Sequence, residues 1–303
     1  MVVTTILLIL LSATIHVGWN LLVKSSGNPR VFSAVKGMII AVIGVVVLPA
    51  VPLASLPGDL WFYAVLSGLI HAVYILSLSS AYQTGDLSVV YPIARSSPAF
   101  VAMAAYLILA ESISIRGALG IGLVAACIVL LHSRQDESDS EARSRQVVGG
   151  RWALLTLASV VAYSLVDKAA MVVFAQVDAV KPVMRGPVYF LIESVISSSL
   201  YALYILWQST PSIRAVARDQ LPKTILAAIG TLVSYSLILH VMQTEKVSYV
   251  VTLRQSSMLI AVLVGWLWLK EACGVFRLIV VAVMLLALSL VATAEGVVLM
   301  DQG

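Results

Sequence analysis

Charge is scarce in this sequence. Of its 303 residues only 11% are Asp, Glu, Lys or Arg, while 60% are hydrophobic, and the mean hydropathy is +1.01. A water-soluble domain carries about 25% charged residues, so this inventory cannot clothe a surface that faces water, and the surrounding medium is lipid. Cysteine is almost absent too. Cys127 lies in an apolar run and Cys273 in a short polar gap, with no C-x-x-C and no histidine nearby, which excludes a disulfide framework and a zinc site. There is no glycine-rich phosphate loop or ATPase motif, so any driving force is an ion or substrate gradient, and no cofactor or metal is called for. The formal charge of +4 resides mainly in short gaps between apolar runs. That is a topology signal, not a nucleic-acid footprint.

What is abundant is long apolar sequence. About 20 residues at 1.5 Å rise cross the hydrocarbon core, and ten runs qualify: 3–23, 32–53, 60–83, 88–110, 116–131, 152–175, 183–208, 221–243, 248–269 and 275–299. The segment Met1–Asn20 lacks a basic n-region and an A-x-A-like end, and is polar at His16 and Asn20, so it reads as a retained first span. The longest polar stretch, His132–Arg151, mixes both charges with Ser and Gly and reads as a flexible linker. It divides the chain into a first half, 1–131, a linker, 132–151, and a second half, 152–303.

The halves repeat. Gln83-Thr84 recurs as Gln243-Thr244, Ser88 as Ser248, Ser96-Ser97 as Ser256-Ser257 and Glu111 as Glu271, all at an offset of 160. A weaker match pairs Trp19–Lys24 with Tyr163–Lys168 at an offset of 144. Between equivalent positions the chain crosses the bilayer five times, an odd number, so the halves insert with opposite orientation. The fold class expected is therefore an all-α membrane protein of ten transmembrane helices in two inverted five-helix repeats, an architecture many secondary transporters use.

Ionisable groups inside a span are costly and mark sites. Arg95 lies in the fourth span between Pro92 and Pro98, which remove backbone donors and free carbonyls beside it. Its repeat counterpart holds Arg254 and Gln255. Two guanidinium forks suit a carboxylate, phosphate or phosphonate, with Ser96 and Tyr91 beside them. Glu193, deep in the seventh span, needs a partner such as Arg95, Lys36 or a substrate ammonium, or else a proton. His16, Trp19 and Asn20 share one helical face and could stack on and hydrogen-bond a ligand, although packing explains such a histidine as well. Glu193, His16, His71 and His240 are the proton-coupling candidates. Lys24 and Lys168 suit interfacial anchoring. Glu111 and Glu271 suit capping of the helix that follows each.

The phrase from His16 to Lys24, the block from Gln83 through Tyr91-Pro92 to Pro98, and the repeated Glu111 and Glu271 resemble the EamA type of the drug/metabolite transporter superfamily. The resemblance spans both halves and implies ten helices, paired inverted repeats and a central cavity opening alternately to each side. It implies export or uptake of small metabolites such as amino acids, and names no ligand. Bacterial members usually keep their termini in the cytoplasm, whereas the Lys and Arg distribution here favours external termini; both orientations stand.

The function expected is secondary active transport, by alternating access, of a small polar metabolite with an acidic group, an amino acid or related zwitterion or organic anion. Arg95, Arg254 and Ser96 would hold the acid, and Glu193 an amine or a proton. The partners are that substrate, a proton and the lipid bilayer, with no nucleic acid, in a monomer or homodimer of the bacterial inner membrane. A membrane-embedded enzyme acting on lipid is the rival, and would gather Asp, His or Glu at catalytic spacing; here ionisable groups are dispersed singly through the spans. A channel would favour pore-lining rings from an oligomer, which duplicated halves with a proline-broken helix do not suggest.

Overall fold

The computed structural model describes residues 1, 3–84, 93, 94, 96–132, 140–267 and 275–294. Among these the chain is all-helical, with no strand. The α-helices are α1 (Val3–Lys24), α2 (Pro29–Val47), α3 (Gly58–Thr84), α4 (Ser97–Ile108), α5 (Ile115–His132), α6 (Ser140–Phe174), α7 (Pro182–Asp219), α8 (Leu221–Met242), α9 (Val247–Leu253), α10 (Ser256–Leu267) and α11 (Val275–Ala292).

Among the described residues six helical stretches are long and apolar enough to cross a membrane: Val3–Lys24, Pro29–Ala50, Gly58–Ala81, Gly149–Phe174, Pro182–Gln208 and Leu221–Met242. Three shorter apolar helices, Ser97–Ile108, Ile115–Leu130 and Leu278–Ala292, fall below that length. Large apolar side chains stand on the outside, including Val46 at 71% and Trp207 at 84% exposure, as expected where lipid replaces water. Helix α6 begins at Ser140, inside the stretch read as a linker, because Ser-Glu-Ala-Arg-Ser-Arg-Gln is built of helix formers. Helix α7 likewise runs on past Gln208 to Asp219.

Two compact units form, each drawing on both halves of the sequence: Met1–Ala13 with Ser77–Leu165 and Glu245–Gly303, and Thr14–Leu76 with Val166–Thr244. In the first, α4 packs on α9, and α5 on α11. The ninth span is not one helix. Thr252 Oγ1 donates to the Ser248 carbonyl at 2.7 Å and Gln255 Nε2 to the Val251 carbonyl at 3.5 Å. With Val251 so engaged, the Gln255 amide turns to Thr252 at 3.0 Å and the Ser257 amide to Arg254 at 3.2 Å, three residues back rather than four. Side-chain competition for carbonyls thus ends α9 and restarts the chain as α10.

Glu111 does act as a cap, but not for α5, which follows it. The backbone at Ala110 is left-handed, with φ of 53°, and the Glu111 amide closes back on the Ala105 carbonyl at 3.1 Å. That turn, strained for a residue with a Cβ, delivers the carboxylate to α9. It accepts from the Val247 amide at 2.7 Å, the Ser248 amide at 3.3 Å and the Ser248 hydroxyl at 2.8 Å. Helix N-termini favour such anions.

The second unit is organised around α7, against which α2 and α8 pack. Asn28 caps α2 by accepting from the Val31 amide at 3.2 Å, with Pro29 at the first helical position. Phe32, Val35, Tyr201 and Ile205 are buried in one cluster with Ile213 and Ala227. Close approach depends on small residues. A Cβ at Gly44 would lie 2.7 Å from Val195 Cγ2, and one at Gly68 would lie 2.9 Å from the Glu193 carbonyl and 2.9 Å from Ile196 Cβ. Gly68 therefore lets α3 lie directly against α7 at Glu193, as small residues do between membrane helices. Gly68→Ala is expected to force the two helices apart at a cost of about 1–3 kcal/mol, seen as a lowered melting temperature in detergent.

Candidate functional site

Four elements of the second unit bring a set of polar side chains together where the sequence is otherwise apolar. Glu193, 1% exposed, lies on α7, and His71 lies on α3 one turn beyond Gly68. His71 Nδ1 stands 3.4 Å from Glu193 Oε2, an ion pair when the imidazole is protonated. The other carboxylate oxygen, Oε1, is 3.4 Å from the neighbouring Ser194 hydroxyl. The partner that the fold gives Glu193 is thus His71. Lys36, suggested for that role by the sequence, instead lies with Nζ 4.1 Å from the Trp19 ring centroid.

Beside this pair sits a second carboxylate. Asp167, on α6, is fully buried, and three hydroxyls donate into it: Ser67 Oγ to Oδ1 at 2.5 Å, Tyr189 OH to Oδ1 at 3.0 Å and Tyr235 OH to Oδ2 at 2.5 Å. Ser67 joins the two groups, because its Oγ is also 3.1 Å from His71 Nδ1. The Tyr235 ring meets the His71 ring edge-on at 5.6 Å. An anion in such surroundings persists only when its lone pairs are occupied, and the hydroxyl ring does that for Asp167.

The sequence reading missed Asp167, although the rule that raised Glu193 applies to it equally, since it falls inside the sixth span. Its neighbour Lys168 disguised it as part of a span end. Lys168 Nζ in fact donates to the Met242 carbonyl at 2.8 Å, at the last residue of α8. Tyr189 and Tyr235 gave no signal, being aromatic residues in apolar runs.

The remaining candidates fall into two groups. In the second unit the His16 and Trp19 rings meet edge-on at 4.8 Å, Trp19 Nε1 donates to Ser234 Oγ at 3.2 Å, and Asn20 Nδ2 donates to the His16 carbonyl at 2.7 Å. His240 lies at the end of α8, with Nδ1 3.3 Å from the Pro182 carbonyl and 3.1 Å from Gln243 Nε2. In the first unit Arg254 is half-buried and Gln255 buried at the α9–α10 break, while Ser96 donates to the Ile93 carbonyl at 2.8 Å just before α4. Gln255 Oε1 and Ser256 Oγ are buried and take no hydrogen bond among the described residues. Arg95 and Tyr91 lie outside the described residues.

Chemically, the second unit offers a buried imidazole–carboxylate pair able to hold one or two protons beside a fixed anion. The first offers a guanidinium and open hydrogen-bonding groups at a broken helix.

Comparison with known proteins agrees with the membrane character. No curated protein matches the sequence. A solved structure described only as "Crystal structure of protein" shares 16% identity and aligns with a TM-score of 0.71 over 96% of this chain and 99% of its own; this likeness shows the fold alone. Residues 3–133 of this membrane protein are similar to the EamA-like transporter family, whose model they match.

Proposed function

We propose that the chain is a secondary active transporter, not an enzyme, that moves a small polar metabolite with an acidic group across the bacterial inner membrane by alternating access, with a proton as its second cargo. The observation that carries this reading is the His71–Glu193 pair, 3.4 Å apart and enclosed by apolar helices. A carboxylate kept from water beside a histidine is what proton-handling membrane proteins need, and the EamA-like match over residues 3–133 supports transport as its use.

Ten spans in two inverted repeats are part of the proposal. Each described pairing of repeat mates supports it: α2 packs on α7, α4 on α9 and α5 on α11. So do the positions at which two helices begin. Helix α4 begins at Ser97 and α10 at Ser256, both in the Ser-Ser pairs related by the offset of 160.

The acidic group of the substrate is held by Arg254 at the α9–α10 break, with Arg95 and Ser96 as the repeat-related contribution and Gln255 and Tyr91 shaping the site beside them. Ser256 Oγ is buried there and open to donate to the acidic group, while Gln255 Oε1, an acceptor, is open to a substrate N–H or O–H. Such pre-positioned groups strengthen recognition. His16, Trp19 and Asn20 form an aromatic and polar wall of the transport path, and Glu193 with His71 carries the proton; His240 is a weaker candidate near the end of α8.

The test is flux and binding in proteoliposomes against a panel of amino acids, organic acids, phosphonates and amines. Arg254→Ala is expected to raise the apparent Kd for an acidic substrate about 10- to 100-fold, the scale of one charge-assisted hydrogen bond. Unchanged binding in both Arg254→Ala and Arg95→Ala removes the anion site from the account.

A further inference from the structure

The buried network around Asp167 settles a detail of His71. A serine hydroxyl has one proton to give. At Ser67 it is committed to Asp167 Oδ1 at 2.5 Å, so toward His71 Ser67 Oγ can only accept. The Ser67 carbonyl, 3.1 Å from the same nitrogen, is an acceptor as well, while Glu193 Oε2 at 3.4 Å takes no hydrogen bond among the described residues. Two acceptors of Ser67 thus meet one ring nitrogen, which bears the hydrogen. Tyr189 and Tyr235 donate to the same Asp167 carboxylate and so hold it in place. The rings of Tyr74 and Tyr235 also meet the imidazole edge-on.

We infer that Asp167 is a positioning residue that acts through Ser67 to fix neutral His71 with its hydrogen on Nδ1, so that proton exchange at this histidine takes place at Nε2. Second partners commonly set a histidine's tautomer in this way. The consequence is directional. A proton bound at Nε2 converts the ring to a cation beside Glu193, whose Oε2 lies 3.4 Å from Nδ1, so protonation on one side of the ring strengthens the ion pair on the other. A proton is gained at Nε2 and lost from Nε2, and no bond at Nδ1 breaks. This deepens the proposed proton role and rests on it only for its use in transport, because the tautomer is measured without any flux.

The experiment is nitrogen NMR of the full chain labelled with 15N-histidine in lipid nanodiscs, with the His71 signals assigned by their loss in His71→Gln. In the wild type at high pH, neutral His71 is expected as the Nδ1-protonated form. The Nε2-protonated form as the dominant species overturns the inference, and this arm needs no variant to fold. Asp167→Ala, which leaves the Ser67 proton without that acceptor, is expected to raise the Nε2-protonated fraction roughly fivefold, the ratio supported by a hydrogen bond of about 1 kcal/mol. In a Ser67→Ala background the same substitution is expected to leave the tautomer ratio unchanged. An equal shift in both backgrounds contradicts transmission through Ser67. Transport that ignores a pH gradient while the tautomer behaves as expected ends the proton-transport reading and leaves this inference standing.

Discussion

Glu193→Gln is expected to abolish the response of transport to a pH gradient. The substitution keeps the shape of the side chain and one acceptor oxygen, but it removes the group that can hold a proton opposite His71 Nδ1, 3.4 Å away. Flux driven by a pH gradient in either orientation should fall at least about a hundredfold, the scale of losing a positioned proton-transfer group, while substrate exchange across vesicles without a gradient persists. The two rates separate the proton role from a packing role: a collapse of the fold would stop both. Glutamine's amide can donate to nothing that the imidazole offers when protonated, so the pair is also expected to lose its charge-assisted character. Equal flux in wild type and Glu193→Gln under the gradient would falsify the assignment of this residue.

Asp167→Ala is expected to produce the largest loss of stability of any single truncation in the second unit. The change leaves the hydroxyls of Ser67, Tyr189 and Tyr235 without the acceptor they share. At about 1 kcal/mol or more for each buried group left without its partner, the cost is roughly 3 kcal/mol. For a chain of this size that lowers the melting temperature by roughly 6–12 °C, measured by thermal unfolding in detergent and by loss of the monodisperse peak on gel filtration. Asp167→Asn should recover part of the difference, since its amide oxygen still accepts hydrogen bonds while its nitrogen faces a hydroxyl that had been a donor. Equal stability of wild type and Asp167→Ala would mean that the hydroxyl ring contributes nothing to folding.

The membrane character and the helical fold were legible because hydropathy is a local property. Each run of about 20 apolar residues announces itself, and α1, α2, α3, α7 and α8 begin within a few residues of where the sequence places them. The break in the ninth span was not legible. The repeat set that span against the proline-flanked Arg95, yet it lacks both prolines, and the cause, competition by Thr252 and Gln255 for backbone carbonyls, lies in rotamers that no pattern displays. The same limit applies to Glu111. A carboxylate before a helix reads as its cap, yet the turn at Ala110 sends it to α9, a contact set by tertiary packing.

Among the site residues, Glu193 was visible from its position alone. Its partner was not, because Lys36 and His71 are equally plausible until Gly68 brings α3 against α7. Asp167 was within reach of the intramembrane-charge rule and was hidden by a lysine beside it. The tyrosines that complete its shell were out of reach, since nothing in a single sequence distinguishes a tyrosine that packs from one whose hydroxyl is spent on a buried anion.

The central claim is that this membrane protein couples a proton at His71–Glu193 to movement of an acidic metabolite. The most direct test reconstitutes the purified chain in vesicles holding a pH-sensitive dye and adds the panel substrates one at a time without an imposed gradient. The account predicts that at least one acidic substrate changes the internal pH as it crosses, and that Glu193→Gln removes the pH change while leaving exchange of that substrate in place. Substrate movement with no proton movement in the wild type would contradict it.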